Sequence, residues 1–571
     1  MNRFNKEVAE MFFKIADALE ILGEMQFKVL AYRKAARVIS ELPDDLREIY
    51  KKGKLEEIPG IGEGIAKKIK EYIETGKMKK AEEVLSRLPE GLLPLMSIPS
   101  LGPKTIALAY KKLGVKNIDD LKRVLKDGSL ARLPGMGEKK IENIIKGIEL
   151  WEKGQQRFLL GEVYPLVEGI IEELKAHKEI IEAIPAGSYR RMKETVGDID
   201  ILVMTEEGKK AVDIFCSLKG VERILAQGDT KGSCIFHGNI QVDLRAIPPE
   251  SFGSALQYFT GSKAHNVHLR SIAKQKGLKI SEYGVFKEDK KIAGEKEEDV
   301  YESIGLIWIP PEMREDTGEI ELAIAKKLPE LIDYNDVKGD LHVHSKYSDG
   351  TMTLEEIALW GKKMGYEYIA VCDHSQSVKY AGGLEIDDIE KKIEEIKRIN
   401  EKKIGCYLIM GAEVDILPDG SLDYPDEILK KIDLVLISVH TGFKKDNTDR
   451  ILKALDNPYV HGLSHPTGRL LGQREGYPVD IEKVIEKAKE KNKLLEINAY
   501  YERLDLYDIY LRKAKEKGVK FLIGTDAHHL GQLWMMKLGI GMARRGWLEK
   551  EDIINTLSYK ELLDFLNSIR K

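Results

Sequence analysis

The rhythm of apolar and polar positions changes several times along this chain. Residues 1–150 read as helices separated by short Gly/Pro breaks. Residues 151–245 mix helix and strand, with strand-like runs at Val196–Met204 and Ile240–Arg245. Residues 246–310 read as a small mixed subdomain. The stretch Ile309–Asp316 has the proline and charge content of a boundary. From about Lys338 onward, short apolar strands alternate with charged helices, the pattern of a parallel α/β fold.

Composition narrows the class. A chain of 571 residues, 43% hydrophobic and 33% charged, has room for several globular domains with large cores. Cys216, Cys234, Cys372 and Cys406 are scattered and form no C-x-x-C pair, so we expect no disulfide framework and a reducing cytosol. The N-terminus has no basic-then-apolar signal pattern. No apolar run is long enough to span a bilayer, so we expect a cytoplasmic, nucleoid-associated protein with no membrane partner. The net charge of −4 hides an asymmetry. Residues 1–150 carry 29 Lys+Arg against 23 Asp+Glu, a balance of +6, which leaves −10 for the remainder. A basic front end favours a phosphate-backbone partner.

That front end also carries an internal repeat. Ile58-Pro-Gly-Ile-Gly62, Ile98-Pro-Ser-Leu-Gly102 and Leu133-Pro-Gly-Met-Gly137 share the pattern apolar, Pro, small, apolar, Gly, each followed by a basic helix. Glycines at Gly60, Gly62, Gly102, Gly135 and Gly137 let backbone N–H groups approach a phosphate oxygen, and the next helix adds its positive N-terminal end. The segments resemble the helix-hairpin-helix DNA-binding motif. Such contacts hold a backbone and read no sequence.

Gly187-Ser-Tyr-Arg-Arg191 is followed by Gly197-Asp-Ile-Asp-Ile-Leu202. A Gly-Ser turn near a helix start can hold a triphosphate through backbone N–H groups and the Ser188 hydroxyl. Asp198 and Asp200 lie two apart on a strand and so share one face. Asp243, in Gln241-Val-Asp-Leu-Arg245, is the candidate third carboxylate. Three such groups can hold two Mg²⁺ ions that activate a 3′-hydroxyl and stabilise a leaving pyrophosphate.

With Tyr258-Phe-Thr-Gly-Ser262, the stretch from about residue 1 to 315 resembles the family X DNA polymerases, the group of DNA polymerase beta. The resemblance implies that Asp198, Asp200 and Asp243 are catalytic and that Gly187, Ser188, Arg191 and Arg157 hold the triphosphate. It also implies that Tyr258, Phe259 and Gly261 line the nucleotide sugar, and that Asn266 and Arg270 face the nascent pair and the template. Phe27-Lys-Val-Leu-Ala-Tyr-Arg-Lys34 resembles the family's small 5′-phosphate-binding domain, with Lys28, Tyr32 and Lys80 at its phosphate-contacting positions. Lys68 matches the Schiff-base lysine of the lyase, whose pKa neighbouring cations such as Lys67 and Lys28 would lower. Phe27 and Gly64 depart from the animal enzymes.

The C-terminal third holds eight of the twelve histidines. His342-x-His344, Asp349, Asp373-His374, Glu413, His440, His465 and Asp526-x-His528 occur in order, most of them after an apolar strand: Ile369–Cys372, Tyr407–Met410, Leu434–Val439 and Phe521–Ile523. Ligands at the C-terminal ends of successive parallel strands converge in a barrel mouth. Mixed imidazole and carboxylate donors suit Zn, Mn or Fe. Residues 336–571 look like a PHP domain, the polymerase-and-histidinol-phosphatase family. That resemblance implies a distorted barrel with three ions, Mn²⁺ or Zn²⁺, held by His342, His344, Asp349, His374, Glu413, His440, His465, Asp526 and His528. His461 rivals His465, and Arg469 is a candidate phosphate holder. The implied chemistry is phosphoester hydrolysis.

We therefore expect a multidomain chain. A helical, helix-hairpin-helix N-terminal region (1–85 lyase-like, 86–150 DNA-binding) precedes an α+β nucleotidyltransferase palm (151–245) with a small thumb (246–315). A linker (316–335) then leads to a C-terminal α/β distorted barrel (336–571). The expected function is template-directed filling of short gaps in DNA repair, with a 3′-end-processing 3′-5′ exonuclease. The expected partners are gapped or primed duplex DNA and dNTPs, bound by a monomer. Two alternatives stay open: a DNA-end-binding scaffold with vestigial sites, and a barrel acting as a small-molecule phosphatase.

Overall fold

In the computed structural model, which describes residues 3–42, 45–58, 60–89, 91–98, 100–154, 157–238 and 240–570, the chain divides into two units. One is Met1–Gln155 with Gly472–Arg474; the other is Gln156–Leu471 with Glu475–Lys571.

The first unit is helical. Its opening helix, Arg3–Leu22, buries Val8, Phe12, Ile15 and Leu19, a stripe at helical spacing. The three repeats fold into one turn. Ile61, Leu101 and Met136 each donate a backbone N–H to the carbonyl three residues back, at 3.0, 3.1 and 3.2 Å. The small residue of each turn is left-handed: Gly60 at φ 91°, Ser100 at 67° and Gly135 at 76°. Glycine takes this conformation freely, whereas Ser100 does so at a cost of roughly 1–2 kcal/mol. A helix starts just past each turn: Glu63–Thr75, Pro103–Leu113 and Glu138–Gly154.

The second unit begins with a five-stranded sheet. Its strands are β1 (Glu182–Pro185), β2 (Ile199–Met204), β3 (Val221–Gln227), β4 (Lys231–Phe236) and β5 (Ile240–Ile247), in the order β1-β2-β5-β4-β3. Only β2 and β5 run parallel. The strand expected over 196–204 is split. Thr195–Val196 pairs with Phe158–Leu159 as a separate ribbon, and β2 starts at Ile199. A subdomain follows, with helices Phe252–Thr260 and Lys263–Gln275 and the meander β6 (Leu278–Ser281), β7 (Gly284–Lys287) and β8 (Lys290–Ala293).

Ile309–Asp316, expected as a boundary, is packed instead. Ile309, Glu312, Met313 and Arg314 are buried, and the Arg314 guanidinium donates to Glu297 at 2.6 Å and to the Ile309 carbonyl at 2.8 Å. Residues 316–335, expected as a linker, include the helix Glu319–Ile324, whose Ile320 and Ala323 are buried. Glu319 is buried too, against His265 at 2.7 Å. Charge and proline mimic a linker in composition, but here Glu312, Arg314 and Glu319 are paired inside.

The C-terminal region is a seven-stranded, all-parallel sheet in sequential order: β9 (Gly339–Val343), β10 (Tyr368–His374), β11 (Tyr407–Asp415), β12 (Leu434–Ser438), β13 (Gly462–Leu463), β14 (Leu494–Asn498) and β15 (Phe521–Gly524). It curls back on itself. Asp526 N–H donates to the His342 carbonyl and His344 N–H to the Ala527 carbonyl, both at 2.8 Å. Every residue of β9, β10 and β14 is buried, which explains why these strands read as continuous runs rather than alternations. The buried side chains of the palm sheet and of the barrel form one continuous cluster.

Candidate active sites

In the palm, parallel pairing sets Asp200 of β2 directly beside Asp243 of β5. Asp198 is exposed, just ahead of β2. Burial pushes the Asp200 carboxyl up to about 6, helped by the charges of Asp198 and Asp243. Asp243 is the better satisfied group. Its oxygens accept from Ser233 at 2.6 Å and Gln241 at 2.9 Å and lie 2.9 Å from the Lys231 ammonium. Burial opposes its ionisation, but these donors outweigh that and lower its pKa. Three carboxylates crowded until one is raised, with a lysine drawn onto another, form a site that suits a cation. Gly187, at φ 61°, packs against it: a Cβ there would lie 3.1 Å from Asp200 Oδ2.

The other expected nucleotide-site residues make the following contacts. Arg157 Nε donates to Thr195 Oγ1 at 2.9 Å. Ser188 lies in the short helical turn Gly187–Arg190. The Arg191 guanidinium donates to Glu315 at 3.1 Å and to the Thr260 carbonyl at 2.5 Å. Tyr258 and Phe259 meet edge to face at 5.1 Å, and Arg245 lies over the Phe259 ring at 4.4 Å. Gly261 ends that helix at φ 69°. Asn266 donates to the Tyr258 carbonyl and accepts from Gln257, both at 2.7 Å, while Arg270 is exposed one turn on.

In the N-terminal unit, Lys28, Tyr32, Lys68, Lys80, Gly60 and Gly62 line one cleft of about 610 Å³. Burial lowers the Lys68 pKa and the Lys80 charge lowers it further. The cations expected to do this were Lys67 and Lys28. The structure corrects that, because Lys67 pairs with Glu63 at 2.6 Å and Lys28 with Glu24 at 3.3 Å.

All nine expected barrel ligands converge at the C-terminal ends of the strands. Donor atoms of His344, Asp349, His374 and His528, of His342, His344 and Asp526, and of His374, Glu413 and His440 form three groups whose members lie within 4.8 Å of one another. His465 Nε2 is 2.7 Å from Glu413 Oε1. The Nε2 atoms of His342 and His344 face each other at 3.2 Å, and buried His344 Nδ1 and His465 Nδ1 have no hydrogen-bond partner. Unpartnered buried imidazole nitrogens among carboxylates fit metal ions. His344 is lowered to about 4 by burial and by His528 and His374, so it is neutral and ready to ligate.

The sequence reading missed the groups that hold these ligands. Buried Glu496 accepts from His342 Nδ1 and from the His465 backbone N–H, both at 2.6 Å. Asp415 lies 3.4 Å from His440 Nδ1. The available signal was chemistry, since Glu496 is a lone carboxylate inside the otherwise apolar run Leu494–Ile497 of β14. His461 is outside the cluster and accepts from the Val435 N–H at 2.9 Å. Arg469 is corrected. It is buried, donates to Glu194 at 2.6 Å and to the Arg503 and Leu504 carbonyls, and stacks over Tyr507 at 3.7 Å, so it braces the fold instead of facing a phosphate. The cation at the site is Arg503, whose Nε is 3.4 Å from Asp526.

Comparison with known proteins gives several matches along the chain. Family models match for a helix-hairpin-helix domain (3–78), a SAM-like helix-hairpin-helix tandem (92–149), a DNA polymerase beta palm (160–232), a DNA polymerase beta thumb (255–315) and a PHP domain (340–502). The "DNA polymerase/3'-5' exonuclease PolX" of Bacillus subtilis (strain 168) is 39% identical over 570 residues, 98% of this chain and 99% of that protein. A "probable phosphatase" of Thermoanaerobacter sp. (strain X514) is 31% identical over 231 residues, 38% of this chain and 89% of that protein. Another, from Caldanaerobacter subterraneus subsp. tengcongensis, is 30% identical over 246 residues, 41% and 92%. With a beta-type palm and thumb behind tandem hairpins and a PHP barrel ahead, this chain belongs to the PolX family of family X DNA polymerases.

Proposed function

We propose that this chain is a DNA polymerase and 3′-5′ exonuclease that fills short gaps in damaged DNA. The observation that carries the reading is the coexistence of two chemically distinct acidic centres in one chain, the oxygen-only trio Asp198, Asp200 and Asp243 and the nine-ligand barrel mouth.

In the palm, Asp198, Asp200 and Asp243 would hold two Mg²⁺ ions, which when bound would supply charge stabilisation for nucleotidyl transfer. The Gly187 and Ser188 backbone and hydroxyl, Arg191 and Arg157 bind the triphosphate. Tyr258, Phe259 and Gly261 shape the sugar pocket, and Asn266 and Arg270 line the nascent pair and template. The three hairpin turns grip the duplex backbone through Gly60, Gly62, Gly102, Gly135 and Gly137. Lys28, Tyr32 and Lys80 take a 5′-phosphate. Lys68, whose lowered pKa leaves more of its amine neutral, is placed beside that phosphate for Schiff-base chemistry.

In the barrel, the nine ligands would hold three ions, Mn²⁺ or Zn²⁺, which when bound would supply an activated water and Lewis-acid assistance to phosphoester hydrolysis. Arg503 takes the phosphate role first expected of Arg469. A second reading, a phosphatase acting on small phosphomonoesters, is favoured by one observation: relatives named probable phosphatases match this chain over 231 and 246 residues, nearly their whole length but only 38% and 41% of this chain. The test is a gapped duplex with a labelled 3′ end in Mg²⁺ or Mn²⁺, with and without dNTPs. Gap filling with dNTPs and 3′ shortening without them are expected. Release of phosphate from a small monoester with no DNA shortening would move the barrel to the second reading.

A further inference from the structure

The barrel is gripped to the palm at the segment that carries Arg191. Four successive residues after the Gly187–Arg190 turn are involved. The Arg191 backbone carbonyl accepts from Arg545 Nη1 at 2.8 Å. Met192, left-handed at φ 53°, rests on Gly541 so closely that a Cβ there would fall 2.3 Å from Met192 Cε. Lys193 lies 3.9 Å from Glu315. The Glu194 carboxylate accepts from Arg469 at 2.6 Å. Gly541 and Arg545 belong to the barrel helix Met536–Arg545, and Arg469 follows the ligand His465 by four residues.

Glu315 joins the two sides. One of its oxygens lies 3.1 Å from Arg191 Nε and 3.2 Å from Arg545 Nη1. The Arg191 guanidinium is therefore oriented by a carboxylate that a barrel arginine holds, and its backbone is pinned by that same arginine. Arg545 is buried and anchored from behind by Asp508. A buried, doubly anchored guanidinium loses little further freedom in holding this geometry. An arginine that binds a triphosphate must be pre-oriented if its binding energy is to reach the reacting atoms.

We infer that Arg545, on the PHP barrel, is a positioning residue of the polymerase nucleotide site, so that dNTP affinity in one catalytic domain depends on a side chain of the other. This rests on the reading of Arg191 as a triphosphate ligand.

The experiment uses the full chain and steady-state primer extension at varied dNTP. Arg191→Ala, Arg545→Met and Arg545→Lys are compared with the wild type. Removing the Arg545 hydrogen bonds to the Arg191 carbonyl and to Glu315 should raise KM for dNTP by at least roughly 10-fold in Arg545→Met, with kcat changed less and 3′ hydrolysis by the barrel retained. Arg545→Lys should recover part of the KM. A merely structural role would lower both activities together and leave the KM-to-kcat split unmoved, which would overturn the inference. If Arg191→Ala raises KM and Arg545→Met does not, the inference fails and the reading of Arg191 stands. If Arg191→Ala leaves KM unchanged, the reading of Arg191 itself fails. Should Arg545→Met not fold, Glu315→Gln keeps the shape and probes the same bridge; an unchanged KM there would also overturn the inference.

Discussion

The palm and the barrel both gather acidic side chains at strand ends, yet they are built oppositely. In the palm the donors are all carboxylate oxygens, Asp198 is open to solvent, and a lysine stands at Asp243. In the barrel the donors are mostly imidazole nitrogens. His342 and His344 are fully buried, and Glu496 and Asp415 fix the rings from behind. The difference teaches how long an ion is meant to stay. A shallow oxygen site suits Mg²⁺, which keeps several waters and can arrive with its nucleotide. A buried imidazole site with oriented ligands suits a transition ion held between turnovers.

The sharpest way to break this comparison is to remove one ligand from each side. Asp243→Ala is expected to reduce primer extension on the order of 10³-fold while sparing 3′ hydrolysis. Near-normal extension would end the palm assignment. In the barrel, His344→Ala and Glu413→Ala should strip bound metal and cut hydrolysis by roughly 100-fold, with extension largely kept. His344 belongs to two of the three ligand groups, so its loss should displace more than one ion on metal analysis. If 3′ degradation persists in both variants, the hydrolytic site lies elsewhere.

What the sequence made legible depended on how local the signal was. The hairpin repeats carry their own turn residues, and Ser100 adopts the left-handed conformation that Gly60 and Gly135 adopt. The close spacing of Asp198 and Asp200 flags the palm carboxylates, although Asp198 lies just ahead of β2 and not on it, and the barrel ligands show themselves by following apolar strands. What stayed hidden depends on distance along the chain. His342 and Glu496 are 154 residues apart, and Arg469 and Glu194 are 275 apart. No local pattern distinguishes an arginine that braces a fold from one that binds phosphate. Ile309–Asp316 misled for a related reason: Arg314 looks like surface charge until Glu297 is found beneath it.

Glu496 gives a smaller test of the same contrast. It touches no substrate and acts through His342 and His465. Glu496→Gln should keep the shape but weaken the ring orientation, lowering metal affinity by about 10–100-fold. Competition with a fluorescent chelator would read this directly. Palm activity in Mg²⁺ should not change. Unaltered barrel affinity would mean that the carboxylate is only a packing group.

The mildest effect, and the most discriminating between the two centres, is proton release on metal loading. Burial alone would lower His374, but Glu413 and Asp349 outweigh it and push it up to about 10. His528 is raised to about 9, burial again being overcome, here by Asp349 and Asp526. At pH 7 without ions both rings therefore hold protons that a metal must displace. Barrel affinity should rise as pH increases from 7 toward 9, and each proton released makes the affinity up to about tenfold tighter per pH unit. The palm differs in sign and window. Asp200, at about 6, is already mostly ionised at pH 7.5, and Asp243 lies below its ordinary value, so loading there releases a small fraction of a proton. Titration calorimetry in buffers of different ionisation enthalpy counts the protons. Mn²⁺ added to metal-stripped Asp243→Ala reads the barrel, and Mg²⁺ added to His344→Ala reads the palm. More than one proton is expected from the first and well under one from the second; equal counts would mean that the two centres are not built on opposite electrostatic plans.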